Sequence, residues 1–310
     1  MAKLTRKRTI LIKAESSYAT DPTPTGSANA VRVRDLEIEP VQSDEVSRDL
    51  IRGYIGNYET LLANTRSNVN FTCELVGSGT AGTEPHYAPA LKACGMAVTT
   101  VSSTSNSYKP VSTSFDSCTI YVNIDGVNHA VTGARGTFTI NATVNEIPTI
   151  SFSMTGKFNG PADVALPTCT YQKQADPLLF KDGNTSGFQL FGYAGALQSW
   201  SLDMNNELVT RQLVGGTQEV LITDRKPSGT ASVEHIALAS HNFFTDATGS
   251  STGTNRWLHG TTAGNKVQVL CPQTDLGQPV YEDSDGAQLL SLPFVATPSS
   301  GNDEVEIKYT

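Results

Sequence analysis

From Thr119 to Val131 the chain alternates apolar and polar side chains almost residue by residue. Successive side chains of a strand point to opposite faces, so such a run buries one coherent face only as a β-strand. Ile120, Val122 and Ile124 fall on one face, and Val127, His129 and Val131 share one after a turn. Asp125 and Gly126 stand between the two sets. Both central residues of a type I′ hairpin need positive φ, which Gly adopts freely and Asp better than most, so the spacing predicts a tight hairpin here. Alternation continues with Phe138 and Ile140, with Ile150, Phe152 and Met154, and upstream with Val69, Phe71, Cys73 and Leu75. Strands apolar on one face only belong to antiparallel sheets, because parallel strands covered on both faces read as unbroken apolar runs.

Helical signals are sparse. Thr83 is a predicted N-cap with Pro85 in the first turn, and Tyr87, Ala90, Leu91 and Cys94 recur at helical spacing up to a stop at Gly95. A second short turn of helix is expected over Asn255–Gly260. The expected fold is mainly β with small flanking helices.

The two halves repeat one another weakly but in order. Asp35-Leu-Glu-Ile-Glu39 resembles Ser201-Leu-Asp-Met-Asn205, and Arg48-Asp-Leu-Ile51 resembles Arg211-Gln-Leu-Val214. Thr65-Arg66 stands beside Asp224-Arg225, and Val69–Glu74 beside Gly229–Glu234. Gly133–Gly136 echoes Thr262–Asn265, each read as preceding a strand. The order suggests tandem duplication of one β domain, with the boundary where Pro161, Pro167 and Pro177 punctuate a polar stretch. The expected division is 1–168 and 169–310. At 310 residues, two domains of this size bury their own cores without a metal or disulfide staple.

Charge narrows the function classes. Charged residues make up 17% of the chain, against about 25% in ordinary soluble proteins, which suits a surface largely covered by other copies. A net charge of −8 is wrong for a general nucleic-acid binder. Lys3, Arg6, Lys7, Arg8 and Lys13 cluster at the start, either as a solvated arm or docked on an acidic surface such as Asp35, Glu37, Glu39, Asp44, Glu45 and Asp49. The five cysteines, Cys73, Cys94, Cys118, Cys169 and Cys271, form no CxxC pair and are odd in number, against a disulfide framework or a zinc site. The apolar run Thr9–Ile12 is too short for a secretory leader, and no run reaches membrane-spanning length, so no membrane partner is expected.

Motifs for chemistry are weak. Gly77-Ser-Gly79-Thr-Ala-Gly82 fits GxGxxG between a strand and a helix, yet the strand alternates, the acid expected about 20 residues later is missing, and hairpins follow instead of βαβ units. A loop of small residues is the simpler reading. There is no GxSxG elbow, and His86, His129, His235, His241 and His259 show no metal-binding spacing. Glu282, Asp283, Asp285 and Gly286 suit Asp-Gly turn chemistry better than a calcium loop. No catalytic residue, cofactor site or metal site is expected.

Three ordered stretches carry a family resemblance: Ser117–Gly126, Thr132–Gly136 and Glu146–Gly156. With Thr261–Asn265, Cys271-Pro272, Asp285-Gly286 and Asp303–Lys308, they make the chain resemble the tail tube (major tail) proteins of long-tailed bacteriophages, in a two-domain form. Lys13–Thr20 resembles the start of such proteins, although the family often has Gly where Ala19 stands. The resemblance implies two tandem tail-tube-type β-sandwich domains and a virion structural protein. It further implies assembly in the host cytoplasm, with the tape measure, terminator and distal tail proteins as partners. Tubes of this family usually hold six domains per ring, so a duplicated subunit would close a homotrimeric ring. Rings would stack around a lumen that DNA crosses transiently.

Open sheet edges are a hazard that ring closure removes. Segments 40–65 and 205–228 are read as long polar loops whose apolar residues either meet a neighbouring ring or pack on their own domain. Arg48, Leu50, Ile51, Tyr54, Ile55 and Tyr58 in the first, and Arg211, Leu213 and Val214 in the second, are the candidate inter-ring or inter-subunit contacts. The acidic charge would let DNA slide past with few phosphate contacts, or it is ordinary solubility charge. Other readings are a tail terminator, a decoration protein, a contractile-tail tube protein, or a carbohydrate-binding or hydrolytic β-sandwich.

Overall fold

The computed structural model describes residues 2–249 and 251–310. The first half carries β1 (Arg8–Ala14), β2 (Ala30–Val31), β3 (Arg34–Ser47), β4 (Thr60–Glu74), β5 (Met96–Val101), β6 (Ser105–Pro110), β7 (Cys118–Ile124), β8 (Val127–Thr143), β9 (Thr149–Phe158) and β10 (Ala162–Asp163). The second carries β11 (Thr185–Leu190), β12 (Leu197–Asp203), β13 (Asn206–Arg211), β14 (Glu219–Arg225), β15 (Ser228–Glu234), β16 (Gly253–His259), β17 (Val267–Leu276), β18 (Val280–Ser284), β19 (Ala287–Ala296) and β20 (Glu306–Tyr309). Short helices α1 (Gly26–Asn29), α2 (Ala88–Ala93) and α3 (Phe243–Thr248) flank them. The fold is mainly β, and every pairing between these strands is antiparallel.

The two halves share one pairing order. In the first, β1 pairs with β7, β7 with β8, β8 with β9, β9 with β4 and β4 with β3. In the second, β11 pairs with β16, β16 with β17, β17 with β19, β19 with β15 and β15 with β12. The long hairpin follows the first strand in each, and a short helix follows the hairpin. The halves then join edge to edge. Residues 199–203 of β12 pair with residues 139–143 of β8, and β20 pairs with β17 on one side and β6 on the other.

Alternation builds the cores. Val69, Phe71 and Cys73 of β4 and Ile150, Phe152 and Met154 of β9 are buried in register, with Phe71 stacked on Phe152 at 5.1 Å. Helix α2 closes this core against β1, β5, β7 and β8. In the second half Trp200 meets Trp257 edge-on at 5.4 Å and stacks on Phe294 at 5.8 Å, all three buried. Aromatic pairs of this kind add about 0.5–1.5 kcal/mol beyond their buried area. The Asp125-Gly126 hairpin forms as expected, with φ of 45° and 93°. Asp285-Gly286 turns the β18–β19 hairpin in the same way, at 54° and 86°.

Several expectations are corrected. Asn255–Gly260 is not helical: Asn255, Trp257 and His259 are buried in alternation along β16, a period of two set by the sheet. Helix α2 starts at Ala88, so the proline in its first turn is Pro89; Gly95 follows it at φ 80°. Gly133–Gly136 lies inside β8 and does not precede a strand. Segments 40–65 and 205–228 are each a hairpin, with paired strands flanking true loops at 48–59 and 212–218. Their alternation carries no apolar face because both faces meet solvent over much of their length. The N-terminal cations Lys3, Arg6, Lys7 and Arg8 stay exposed, as a solvated arm would, while Lys3 Nζ donates to the Asp125 carbonyl in the β7–β8 turn at 2.7 Å and Arg8 reaches the Leu36 carbonyl of β3 at 2.6 Å.

Candidate functional site

The two hairpins are built differently at root and tip. β4 leaves the side of β9 at Arg66, opposite Lys157. Beyond that level β3 and β4 pair only with each other, from Asp44 opposite Ala63 to Ser47 opposite Thr60. An arm thus projects from the sheet. Its tip is held by local contacts. Arg48 pairs with Glu59 at 2.9 Å, and the Arg52 guanidinium lies over Tyr54 at 4.7 Å and Tyr58 at 4.4 Å. Exposed pairs of this kind contribute roughly 0–1 kcal/mol each. They shape the tip without covering it: Ile51 and Ile55 are fully exposed, and Leu50, Tyr54 and Leu61 are more than half exposed.

The β13–β14 hairpin is held at both ends, by Arg135 near the tip and by Arg225 at the root. Arg135 of β8 donates to the carbonyls of Phe115 and Val220 at 2.9 and 2.7 Å, pairs with Glu219 at 3.0 Å, and lies 4.7 Å over the Tyr18 ring. The Val220 amide donates to the Tyr18 hydroxyl at 2.7 Å, and burial raises that phenol above its usual range. Arg225 is held by Glu304 and by the Val111 carbonyl. At the tip Arg211 stands opposite Glu219, Leu213 is half exposed and Val214 fully exposed. Gln218 Nε2 donates to the Thr65 carbonyl at 2.8 Å, so the second tip is tethered to the first arm. A groove between them is lined by Leu62, Thr65, Phe158, Leu213 and Val214.

All nine residues singled out in the sequence therefore stand at or beside two exposed tips. Arg48, Leu50, Ile51, Tyr54, Ile55 and Tyr58 share the first; Arg211, Leu213 and Val214 share the second. Sequence reasoning missed two open strand edges. Among the described residues β3 pairs only with β4, and β18 only with β19. The exposed Asp35, Glu37 and Glu39 on β3 were the available signal, since charge on an edge strand is a common guard against promiscuous pairing.

The small-residue loop Gly77–Gly82 packs against the far end of the chain. Gly77 N donates to Asn265 Oδ1 at 3.1 Å and Gly79 N to the Gly264 carbonyl at 3.0 Å. A Cβ at Gly77 would lie 2.0 Å from that carbonyl oxygen. Those amides are thus committed to the seam between the halves. Burial lowers His86 to about 4 and also lowers His129 and His259, so these rings stay neutral. It raises Cys271 to about 12 and lifts the thiols of Cys73, Cys94 and Cys118, which keeps them protonated and poorly nucleophilic. Among the described residues no group of three or more His, Cys, Asp and Glu is placed to hold a metal, and no helix is long and apolar enough to cross a membrane.

A family model described as phage tail tube protein matches residues 5–297. No curated protein matches the chain.

Proposed function

The chain belongs to the phage tail tube protein family, structural proteins of the virion tail, and from that premise we propose that it is a tube subunit of which three copies close each ring. The observation that carries this is the repeated pairing order, β1–β7–β8–β9–β4–β3 and β11–β16–β17–β19–β15–β12, joined through β8 and β12. Each chain then supplies two tail-tube domains, 1–168 and 169–310, and three chains supply the six of a pseudo-sixfold ring. Rings stack through the two hairpin tips, whose apolar side chains need a cover that the chain itself does not provide. Stacking forms a channel for DNA passage into the host. Three chains carry three times the single chain's −8, which offers DNA few phosphate contacts and lets it slide. The role is structural, not enzymatic. Assembly takes place in the host cytoplasm, with the tape measure, terminator and distal tail proteins at the tube's core and ends.

Negative-stain images of the purified protein at rising concentration, with native mass measurement of single rings, test this. Rings of three chains that stack into tubes are expected. A ring of six full-length chains would overturn the two-domain stoichiometry, and a strict monomer at high concentration would overturn the tube reading itself.

A further inference from the structure

A basic cleft lies where β1 meets the turn from β2 to β3. Its volume is about 470 Å³, and it is lined by Arg6 and Arg8 around the start of β1, by Arg32 and Asp35 beside the β2–β3 turn, and by Tyr171 of the segment that joins the two halves. We propose that this cleft is a binding site for a free phosphate-type dianion. The chain's net charge is −8, yet three positive charges gather here, and like charges in one cleft repel unless an anion stands between them. Elsewhere the chain supplies that anion itself: Arg34, Arg48, Arg66, Arg135 and Arg225 each pair with a carboxylate. Among the described residues Arg6, Arg8 and Arg32 form no ion pair, and neither does Asp35.

Uncharged groups hold the guanidiniums in place instead. Arg8 donates to the Leu36 carbonyl at 2.6 Å, and the Arg32 guanidinium lies 5.1 Å over the Tyr171 ring. The first contact uses one N–H and the second uses the flat face of the group, so each fork keeps in-plane donors for an oxyanion. Burial raises the Tyr171 phenol above its usual range, which keeps it protonated and able to donate as well. The charge count selects the ligand. Three guanidiniums less the Asp35 carboxylate leave the cleft at +2, which a phosphate dianion neutralises and a single carboxylate does not. Arginine is suited to this because its planar fork matches phosphate oxygens two at a time. An occupant would also tie together β1, the β2–β3 turn and the joining segment, which are distant in sequence, and would thereby stabilise the folded chain. The N-terminal arginines thus gain a role that needs no protein partner.

The test is isothermal titration calorimetry with sodium phosphate at constant ionic strength and slightly alkaline pH, where the dianion dominates. Saturable binding of one phosphate per chain is expected. Arg6→Gln and Arg32→Gln should each weaken it about tenfold, the loss of one charge-assisted contact. Arg256→Gln, an exposed arginine on β16, should leave it unchanged. Arg6 is exposed and outside every strand, so its variant keeps the fold and the comparison stays valid if Arg32→Gln does not. Thermal melts are the second measurement. Saturating phosphate should raise the parent's Tm by about 2–4 °C more than that of Arg6→Gln. The difference between the two chains is the signal, because phosphate also stabilises folded proteins generally by its exclusion from their surfaces. Heats that never saturate, or equal affinity in the parent and both variants, overturn the site. A short single-stranded oligonucleotide, whose diester phosphates carry one charge each, should bind more weakly than phosphate. Tighter binding by the oligonucleotide, lost in the same two variants, overturns the assignment to a free dianion.

Discussion

The hydroxyls of Tyr87 and Tyr309 lie 2.9 Å apart although 222 residues separate them in the chain. Tyr87 caps helix α2 in the first half and donates to the Val76 carbonyl at 3.1 Å. Its oxygen thereby accepts from Tyr309, the last residue of β20. The Tyr309 ring also meets Tyr108 edge-on at 5.7 Å, and Tyr108 donates to Glu84 at 3.1 Å. The final strand is thus anchored in the core of the half at the opposite end of the chain.

Two consequences are measurable. Tyr309→Phe removes one hydrogen bond and leaves Tyr87 its bond to Val76, so urea unfolding should show a loss of about 0.5–1.5 kcal/mol. Tyr309→Ala opens a cavity and should lose about 3–5 kcal/mol. Burial raises the phenols of Tyr87, Tyr108 and Tyr309 above their ordinary 10.0. A raised folded-state pKa means stability that is full below pH 10 and declines above it, as the unfolded chain ionises first. Unfolding midpoints should therefore be insensitive to these groups at neutral pH and fall steeply above about pH 10, less so in Tyr309→Phe.

Ala19 adopts φ 56°, a left-handed conformation that costs a non-glycine residue about 1–2 kcal/mol. Its amide donates to Glu15 at 2.8 Å, which any residue there would keep. Ala19→Gly should raise stability by about 0.5–1 kcal/mol after the extra entropy lost by glycine is set against the relieved strain. The neighbouring Gly133→Ala should do the reverse. Its φ is 62°, and a Cβ would lie 2.8 Å from the Tyr18 ring. Thermal melts of the two variants should move in opposite directions.

Much of this architecture was legible in the sequence. The strands around Asp125-Gly126 and the core residues Phe71, Phe138, Phe152 and Met154 follow from period two, because one face is dry and the other wet. The arms of the β3–β4 and β13–β14 hairpins were hidden for the opposite reason: with both faces wet, Asp44 and Glu45 read as loop. Asn255–Gly260 misled because six residues hold too little periodicity to separate helix from strand. Helix α3 had a usable signal in Asn242, whose side chain accepts from the amides of Phe244 and Thr245. The seam at Gly77 and Gly264 and the reach of Arg135 to Glu219 are contacts between distant segments, which no local pattern encodes.

Arg135 should be the least replaceable of the side chains that hold the β13–β14 hairpin. Arg135→Met removes the donor to three backbone carbonyls and strands Glu219 without its partner. A loss of about 1–3 kcal/mol is expected for leaving the buried Val220 carbonyl without this donor; Glu219, 38% exposed, adds little. Limited proteolysis should also show faster cleavage within 212–218, since the β13–β14 hairpin pairs with no other strand. Unchanged cleavage would show that Arg225 and Glu304 hold the hairpin alone.

The first tip should govern association between rings and leave folding untouched. Ile51, Tyr54 and Ile55 are exposed by 104%, 69% and 104%, so replacing all three with Ser removes no core contact. Such surface changes usually shift stability by within about 0.5 kcal/mol each, whereas truncating buried apolar residues costs about 2–5 kcal/mol each. The β circular dichroism and urea midpoint of the triple variant should match the parent, while tubes shorten to single rings in the electron microscope. Rings should still close. If the triple variant instead stacks into tubes of parental length, the apolar tip does not mediate stacking. The tethered Leu213 and Val214 then become the residues to replace next, because they line the groove beside the arm.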